Sequence, residues 1–528
     1  MINCSWKFPY RSQRMPVFAR NVVATSQPLA AQAGLRMLVK GGNAVDAALA
    51  AAIALTVVEP TSNGIGSDAF AIIWDGGQLH GLNASGRSPR AWTLKRFSGL
   101  KKMPRFGWDA VTVPGAVDAW VTLSERFGRL AFTDLFEPAI HYAREGFPVS
   151  PKAAAKWALT PTLYKDFPEF AAAFLPGGKA PLPGERFRFP EQAKTLETIA
   201  ETRGESFYRG ELAHRIIACA QASGGAMAEA DLAQHRSEWV ETISQEYLGV
   251  HLHEIPPNGQ GLAALIALGI LRHRNLDPYP VDSPDSLHLQ IESMKIALAE
   301  AYRHIADPDH MQVNPRALLH EDFLAGRAAE INIKKAKFFR SKLPTDKGTV
   351  YLTAADRSGM MVSFIQSNFN GFGSGIVVPG TGISMQNRAS GFSLEPGHPN
   401  QVGGGKRPYH TIIPGFVVRD NNPVMSFGVM GGHMQAQGHV QMMIRVFDYG
   451  QNPQTASDAP RWQVFKDGRI ALEEGLPTSV MEELTRRGHQ IITGQPESLF
   501  GGAQLICRLE NGYCAASDHR KDGQAVGY

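Results

Sequence analysis

The chain has 528 residues, 43% of them hydrophobic, and 53 Lys and Arg against 49 Asp and Glu leave a net charge of only +4. That is ordinary globular usage at a length able to bury catalytic groups, so wholesale disorder, a collagen-like chain and a coiled coil are excluded. The balanced charge, with no long basic block, argues against nucleic acid as a partner, and the four cysteines (Cys4, Cys219, Cys507, Cys514) lack CxxC spacing and are too few for a disulfide framework.

At about 150 residues per domain the length allows three or four domains or one large intertwined body. Residues 1–20 hold no apolar run long enough for a signal-peptide core. The most apolar stretch, Ala44–Val58, contains Asp46 and falls short of the roughly 20 residues that span a bilayer. A soluble cytoplasmic protein without membrane attachment is therefore expected. Gly41-Gly42-Asn43 precedes that stretch, and Asn43 predicts a helix N-cap, with Asp46 at the third position favoured by the helix dipole. Pro60–Gly66 reads as a loop, and Asp68–Trp74 as a strand ended by Asp75-Gly76-Gly77. Residues 110–330 alternate helical patterns with Pro/Gly joints such as Leu175-Pro176-Gly177-Gly178, without an internal repeat.

Residues 334–348 are basic and unpatterned, which predicts an exposed, mobile linker. The pattern then turns strand-like. Thr349–Ala355, a turn at Asp356-Arg357-Ser358-Gly359, and Met360–Gln366 predict a β-hairpin. The remainder is rich in glycine, with Gly403-Gly404-Gly405 and Gly431-Gly432 as its clearest punctuation.

Common motifs are missing. There is no HExxH and no GxSxG, and Gly403-Gly404-Gly405-Lys406 runs into Arg407 rather than the Ser or Thr of a Walker A loop. Asn370–Gly375 has spaced glycines but no βαβ context. His251 and His253 share one face of a possible strand beside Glu254, a pattern that fits a metal site less often than a hydrogen-bonded pair. One boundary carries chemistry: Gly348 ends the linker and Thr349 opens a strand. Cleavage between them would give Thr349 a free α-amine, with a pKa near ~8, able to activate its own hydroxyl. Gly348, lacking Cβ, would allow the strained backbone of an N-to-O acyl shift. Spacing alone favours Thr349 as an ordinary β-branched strand residue, since threonines open many strands.

The segment Thr349–Asp356 resembles the start of the small subunit of γ-glutamyltransferases, a family of N-terminal-nucleophile hydrolases. Gly41–Ala48, Gly373-Ser374-Gly375-Ile376-Val377, Lys406-Arg407-Pro408, Gly431-Gly432 and Ala516-Ser517-Asp518-His519-Arg520 extend the likeness over nearly the whole chain. The resemblance implies an α+β fold, a four-layer αββα sandwich. It also implies a precursor cut between Gly348 and Thr349 into intertwined large (1–348) and small (349–528) subunits. That heterodimer could pair further into a dimer of heterodimers. Thr349 falls on the family's nucleophile, Ser367 on the hydroxyl residue bonded to it, and Gly431 and Gly432 on the oxyanion hole. No metal or organic cofactor is implied.

The amino-acid pocket of a γ-glutamyl enzyme is not matched. Gly391 stands where the family has its amine-binding carboxylate, and Arg388, after Asn387, stands where it has a glutamine. Ser85 aligns with the family's carboxylate-binding arginine, with Arg87 two positions on. His410 and Thr411 replace tandem serines, Phe369 replaces an asparagine, and residues 393–405 are too few for the long lid of many members. A substrate α-ammonium would be repelled, whereas Arg388, Arg87 and His410 could surround a small anion. The chain resembles the branch that includes oxamate amidohydrolases of purine-nitrogen catabolism. The expected reaction is amide hydrolysis of a small carboxylate lacking an α-amine, oxamate to oxalate and ammonia. The alternatives are a γ-glutamyl hydrolase or transferase, an acylase of a larger amide, and an unprocessed relative that only binds a ligand or partner.

Overall fold

A computed structural model describes residues 13–338 and 348–528 of the chain. Residues 339–347, most of the expected linker, and Cys4 lie outside the described residues. Among the described residues, two seven-stranded sheets form the centre. The first runs, edge to edge, through Gln524–Gly527, Val22–Thr25, Val350–Ala355, Met361–Ser367, Asp68–Trp74, Leu79–Ala84 and Glu238–Val240. The second runs through Val17–Ala19, Gly512–Ser517, Gly502–Leu509, Asn422–Met430, Gly415–Arg419, Val250–Glu254 and Ile243–Tyr247. Neighbouring strands in both are antiparallel. Each sheet takes strands from both sides of the Gly348–Thr349 junction, so the two segments interleave in one four-layer body.

The period-2 geometry of strands explains the layering. Tyr351, Ala355, Met361, Ile365, Phe70 and Ile72 of the first sheet meet Phe416, Met430, Ile506 and Ala515 of the second in one apolar cluster between the sheets. The alternate residues Val350, Leu352, Ala354, Val362, Phe364, Ala69 and Ala71 face a helical layer built on Ala44–Val58. Strands buried on both faces read as continuous apolar runs rather than as alternation. Helices Gly261–Arg272, Pro284–His304 and Met434–Phe447 cover the outer face of the second sheet, completing the αββα order.

Ala44–Val58 is buried along its entire length. The Asn43 side chain accepts from the N–H groups of Val45 and Asp46, both at 3.0 Å, and Asp46 accepts from the Asn43 N–H at 2.9 Å, so the predicted cap is a full capping box. Asp46 also accepts from the Arg129 N–H and anchors the next turn of chain. The predicted hairpin is present, with Val350 opposite Gln366 and Ala355 opposite Met361. Among the described residues, no helix is long and apolar enough to cross a membrane.

Candidate active site

Three neighbouring strands of the first sheet bring their ends together: Thr349 precedes Val350, Ser367 closes the next strand, and Asp68 opens the one after it, opposite Ser367. Thr349 is only 2% exposed. Its Oγ1 lies 2.7 Å from the Gly348 carbonyl oxygen and 3.4 Å from Ser367 Oγ, while Ser367 Oγ donates to the same carbonyl at 2.5 Å. The Phe369 N–H holds Ser367 Oγ in place at 2.7 Å. From the second sheet's side, Gln435 Nε2 donates to Thr349 Oγ1 at 3.2 Å, and Gln435 Oε1 is fixed by the Ile413 N–H at 3.1 Å. In the unbroken chain, the hydroxyl, its own preceding carbonyl and a second hydroxyl are thus already within reach of one another.

Gly348 is required for a reason other than the expected strain. Its φ lies outside the left-handed region, but a Cβ there would sit 2.5 Å from the Gly371 nitrogen and 2.9 Å from the Phe369 carbonyl oxygen. The constraint is close backbone approach. Gly431 and Gly432, between the strand Asn422–Met430 and the helix that carries Gln435, have φ of 127° and 61°, a path disfavoured for residues with a Cβ. Gln260 pins that turn, donating to the carbonyls of Gly432 at 2.9 Å and Thr411 at 2.5 Å, and the Tyr409 hydroxyl orients it at 3.1 Å.

Against the turn that follows Ser367 lies a buried cation. Arg388, in the short turn Arg388–Gly391, is fully buried, stacks 4.4 Å above the Phe369 ring, and donates through Nη1 to Thr411 Oγ1 at 2.8 Å. Among the described residues its Nε and Nη2 have no hydrogen-bond partner, and neither does either side-chain atom of neighbouring Asn370. Phe369 reaches its position beneath the guanidinium with a φ of 74°, a conformation that costs a non-glycine residue about 1–3 kcal/mol and is found mainly at functional sites. Asn387 stabilises it, accepting from the Asn370 N–H at 3.0 Å and donating to the Arg105 carbonyl at 3.0 Å.

Asp68 supplies the opposing charge. Its carboxylate accepts from His410 Nε2 at 3.0 Å and from the N–H groups of Gly86 and Gly115 at 3.3 and 3.2 Å. Burial pushes this carboxyl up to about 7, against the pull of Arg388, and burial pushes the Arg388 guanidinium down to about 9. His410 is held well below its ordinary value by burial, reinforced by Arg388 and Arg407. Its Nδ1 faces the Ile412 N–H at 3.4 Å, so the neutral ring carries its proton on Nε2, toward Asp68.

Of the residues expected around an anion, the structure joins Arg388, Thr411 and Phe369 and gives the others different work. Arg87 pairs with Asp307 at 2.8 Å, donates to the Gly405 carbonyl at 3.1 Å and approaches Glu238, lining a cleft with Arg90, Arg236 and Arg407. His410 is neutral and committed to Asp68, so neither it nor Arg87 supplies a free cation beside Arg388, and Asn387 shapes the backbone. His253 bonds Thr242 Oγ1 at 2.9 Å, and among the described residues no group of three or more metal-ligating side chains forms around it. Asp68, Gln435, Gln260 and Asn370 join the site without being among the residues the sequence singles out. Asp68 leaves a signal, a lone carboxylate opening an otherwise apolar strand. Gln435, three residues beyond paired glycines at a helix start, leaves a weaker one, and Gln260 leaves none.

The gamma-glutamyltranspeptidase family model matches residues 30–528. The chain is 35% identical to the glutathione hydrolase-like YwrD proenzyme of Bacillus subtilis, over 96% of this chain and 98% of that protein. It is also 35% identical to the oxamate amidohydrolase proenzyme of Klebsiella pneumoniae, over 95% and 97% of the two chains. The crystal structure of a cephalosporin acylase from Bacillus halodurans is similar over 100% of this chain and 99% of that one, with a TM-score of 0.96 and 47% identity.

Proposed function

Because the chain belongs to the γ-glutamyltranspeptidase family of N-terminal-nucleophile amidohydrolases, enzymes made as proenzymes that act on C–N amide bonds, we propose that it cuts itself between Gly348 and Thr349 and then hydrolyses the amide of a small carboxylate lacking an α-amine, oxamate to oxalate and ammonia. The observation that carries the substrate class is Arg388, fully buried and, among the described residues, without a hydrogen-bond partner at Nε and Nη2. A guanidinium left in that state is completed by a carboxylate, which accepts two parallel N–H bonds. Gly391, at the position expected for an ammonium-binding carboxylate, offers a substrate α-amine nothing.

In the precursor, Thr349 Oγ1 attacks the Gly348 carbonyl carbon while Ser367 Oγ, bonded to that carbonyl oxygen, stabilises the developing charge. The acyl group passes from nitrogen to oxygen, and water releases the Gly348 carboxylate and the Thr349 α-amine. The two subunits, 1–348 and 349–528, remain together because both contribute strands to both sheets. In the mature site, the α-amine takes the Thr349 hydroxyl proton as Oγ1 attacks the substrate amide. The N–H groups of Gly431 and Gly432 hold the oxyanion, the proton leaves with ammonia, and water hydrolyses the acyl ester.

Ammonia release from oxamate and uncharged oxamide, and glutamate release from glutathione, compared by kcat/KM on the processed enzyme, test this reading. Oxamate is expected to lead, and glutathione turnover matching that of the best small amide would defeat it. A second reading, an acylase of a larger acyl amide, is favoured by the 47% identity to a cephalosporin acylase. Preference for a bulky acyl amide over oxamate in the same screen would select it.

A further inference from the structure

We propose that Asp68 is the specificity-determining counter-charge of this pocket: a carboxylate that enters against Arg388 is matched by one proton taken up on the Asp68 carboxyl. The inference rests on the reading of Arg388 as the substrate's carboxylate site. It begins from the charge balance of a buried cluster of side chains. Arg388 and Asp68 are both fully buried, and among the described residues no carboxylate pairs directly with the guanidinium. The other charged and titratable groups facing Asp68 are accounted for. Arg407 is held in a bidentate pair with Glu238 at 2.8 Å, His410 is neutral, and Tyr208 donates its hydroxyl proton to the Pro114 carbonyl at 2.9 Å. The empty site therefore holds one cation and one anion. A ligand carboxylate on Nε and Nη2 adds a second anion that no nearby group neutralises, and in a low-dielectric interior the weaker acid of the two responds by binding a proton.

Asp68 is the group able to do so. Burial has already brought its carboxyl up to about 7, so it is largely ionised at pH 8 in the empty site, and a second buried anion that raises it by about two further pH units protonates it there. A substrate carboxylate has an ordinary value near ~4 and stays ionised on the guanidinium. The hydrogen bonds also favour one oxygen: Oδ1 accepts two backbone N–H groups, whereas Oδ2 accepts only His410 Nε2 and keeps a lone pair for the proton. His410 cannot take it instead, because its Nδ1 faces the Ile412 N–H.

The test is titration calorimetry of the processed enzyme with glycolate, an unreactive small monocarboxylate, at pH 8 in buffers of different ionisation enthalpy. Close to one proton absorbed per glycolate is expected, with affinity falling nearly tenfold per pH unit above 7.5. In Asp68→Asn the uptake is expected to fall to the small share that Arg388 itself supplies, and the affinity to lose most of its pH dependence between 7 and 8. Binding without proton exchange overturns the inference while leaving the carboxylate reading intact. Unchanged exchange in Asp68→Asn overturns it as well, placing the proton on the Thr349 α-amine. If Asp68→Asn does not mature, the wild-type count and its persistence in His410→Gln, whose amide keeps a donor for Asp68, decide the matter; loss of uptake in His410→Gln would place the proton on His410 and overturn the inference. Failure of both glycolate and oxamate to bind at millimolar concentration removes the functional reading together with the inference.

Discussion

Replacing Gly348 by alanine tests the geometry of self-cleavage at its tightest point. The new Cβ would sit 2.5 Å from the Gly371 nitrogen and 2.9 Å from the Phe369 oxygen, about 0.9 Å and 0.5 Å inside the 3.4 Å at which ordinary contact begins. Both obstacles are backbone atoms of a turn held by Ser367 and Asn387, so neither can swing aside. The strain of about 1–3 kcal/mol is relieved by moving Gly348 itself, and its carbonyl is the group bonded to Ser367 Oγ at 2.5 Å and Thr349 Oγ1 at 2.7 Å. A misplacement of about 1 Å in a reacting pair costs on the order of 10²-fold in rate, which corresponds to about 2.7 kcal/mol. A denaturing intact-mass time course of freshly purified protein reads this directly. Wild type is expected to resolve into chains 1–348 and 349–528, while Gly348→Ala persists as the 57.5 kDa precursor with a half-life about a hundredfold longer. A thermal melt of the variant within several degrees of the precursor form excludes unfolding as the cause. Maturation of Gly348→Ala at the wild-type rate would refute the close-approach argument, and a wild-type cut at another bond would refute Thr349 as nucleophile.

Ser367→Ala removes the hydroxyl that bonds the Gly348 carbonyl, so precursor cleavage, followed by the same mass assay, should slow by about 10²–10³, with Ser367→Thr restoring most of it. Arg388→Lys keeps the charge but loses the fork, and should raise KM for oxamate by about tenfold or more with a smaller change in kcat, leaving an uncharged amide unaffected; equal losses on both substrates would count against a carboxylate contact. Asn43→Ala deletes the capping box of the buried helix Ala44–Val58 and should cost about 1–2 kcal/mol in urea unfolding of the mature enzyme, and no measurable loss would remove the cap from the account. Burial raises the Asp518 carboxyl, but Arg461 and Arg520 outweigh it and hold the group well below the carboxylate range. Its stabilisation is thus complete above the ordinary value of about 4 and is lost as pH falls from there. Asp518→Asn should destabilise the enzyme by about 3–5 kcal/mol at neutral pH and flatten its stability between pH 4 and 2; an unchanged acid limb would contradict that ion pairing.

Features with local causes are legible in the chain itself. Asn43 and Asp46 lie within one turn of each other, so their capping box follows from composition and spacing, and the hairpin on either side of Asp356–Gly359 is set by a tight turn between apolar runs. The boundary at Gly348 and Thr349 is equally visible, and with the family resemblance it points to the nucleophile, its hydroxyl partner and the paired glycines. The charges around the substrate are not legible in this way. Arg87 and Arg388 are both arginines near matched motifs, but Arg87 finds Asp307, 220 residues away, while among the described residues Arg388 hydrogen-bonds Thr411 and leaves Nε and Nη2 open. His410 would pass for a cation until Asp68, 342 residues away, and the Ile412 N–H settle its tautomer. Gly348 likewise needs its small size because of Gly371, which the fold returns to within 2.5 Å of where its Cβ would be. Sequence by itself determined the caps, the turns and the Gly348–Thr349 boundary between linker and strand, since these depend on neighbours a few residues apart. Only the tertiary structure decided which buried charge stays unpaired, because partners hundreds of residues apart meet only when both sheets close, and burial then magnifies every unmatched charge.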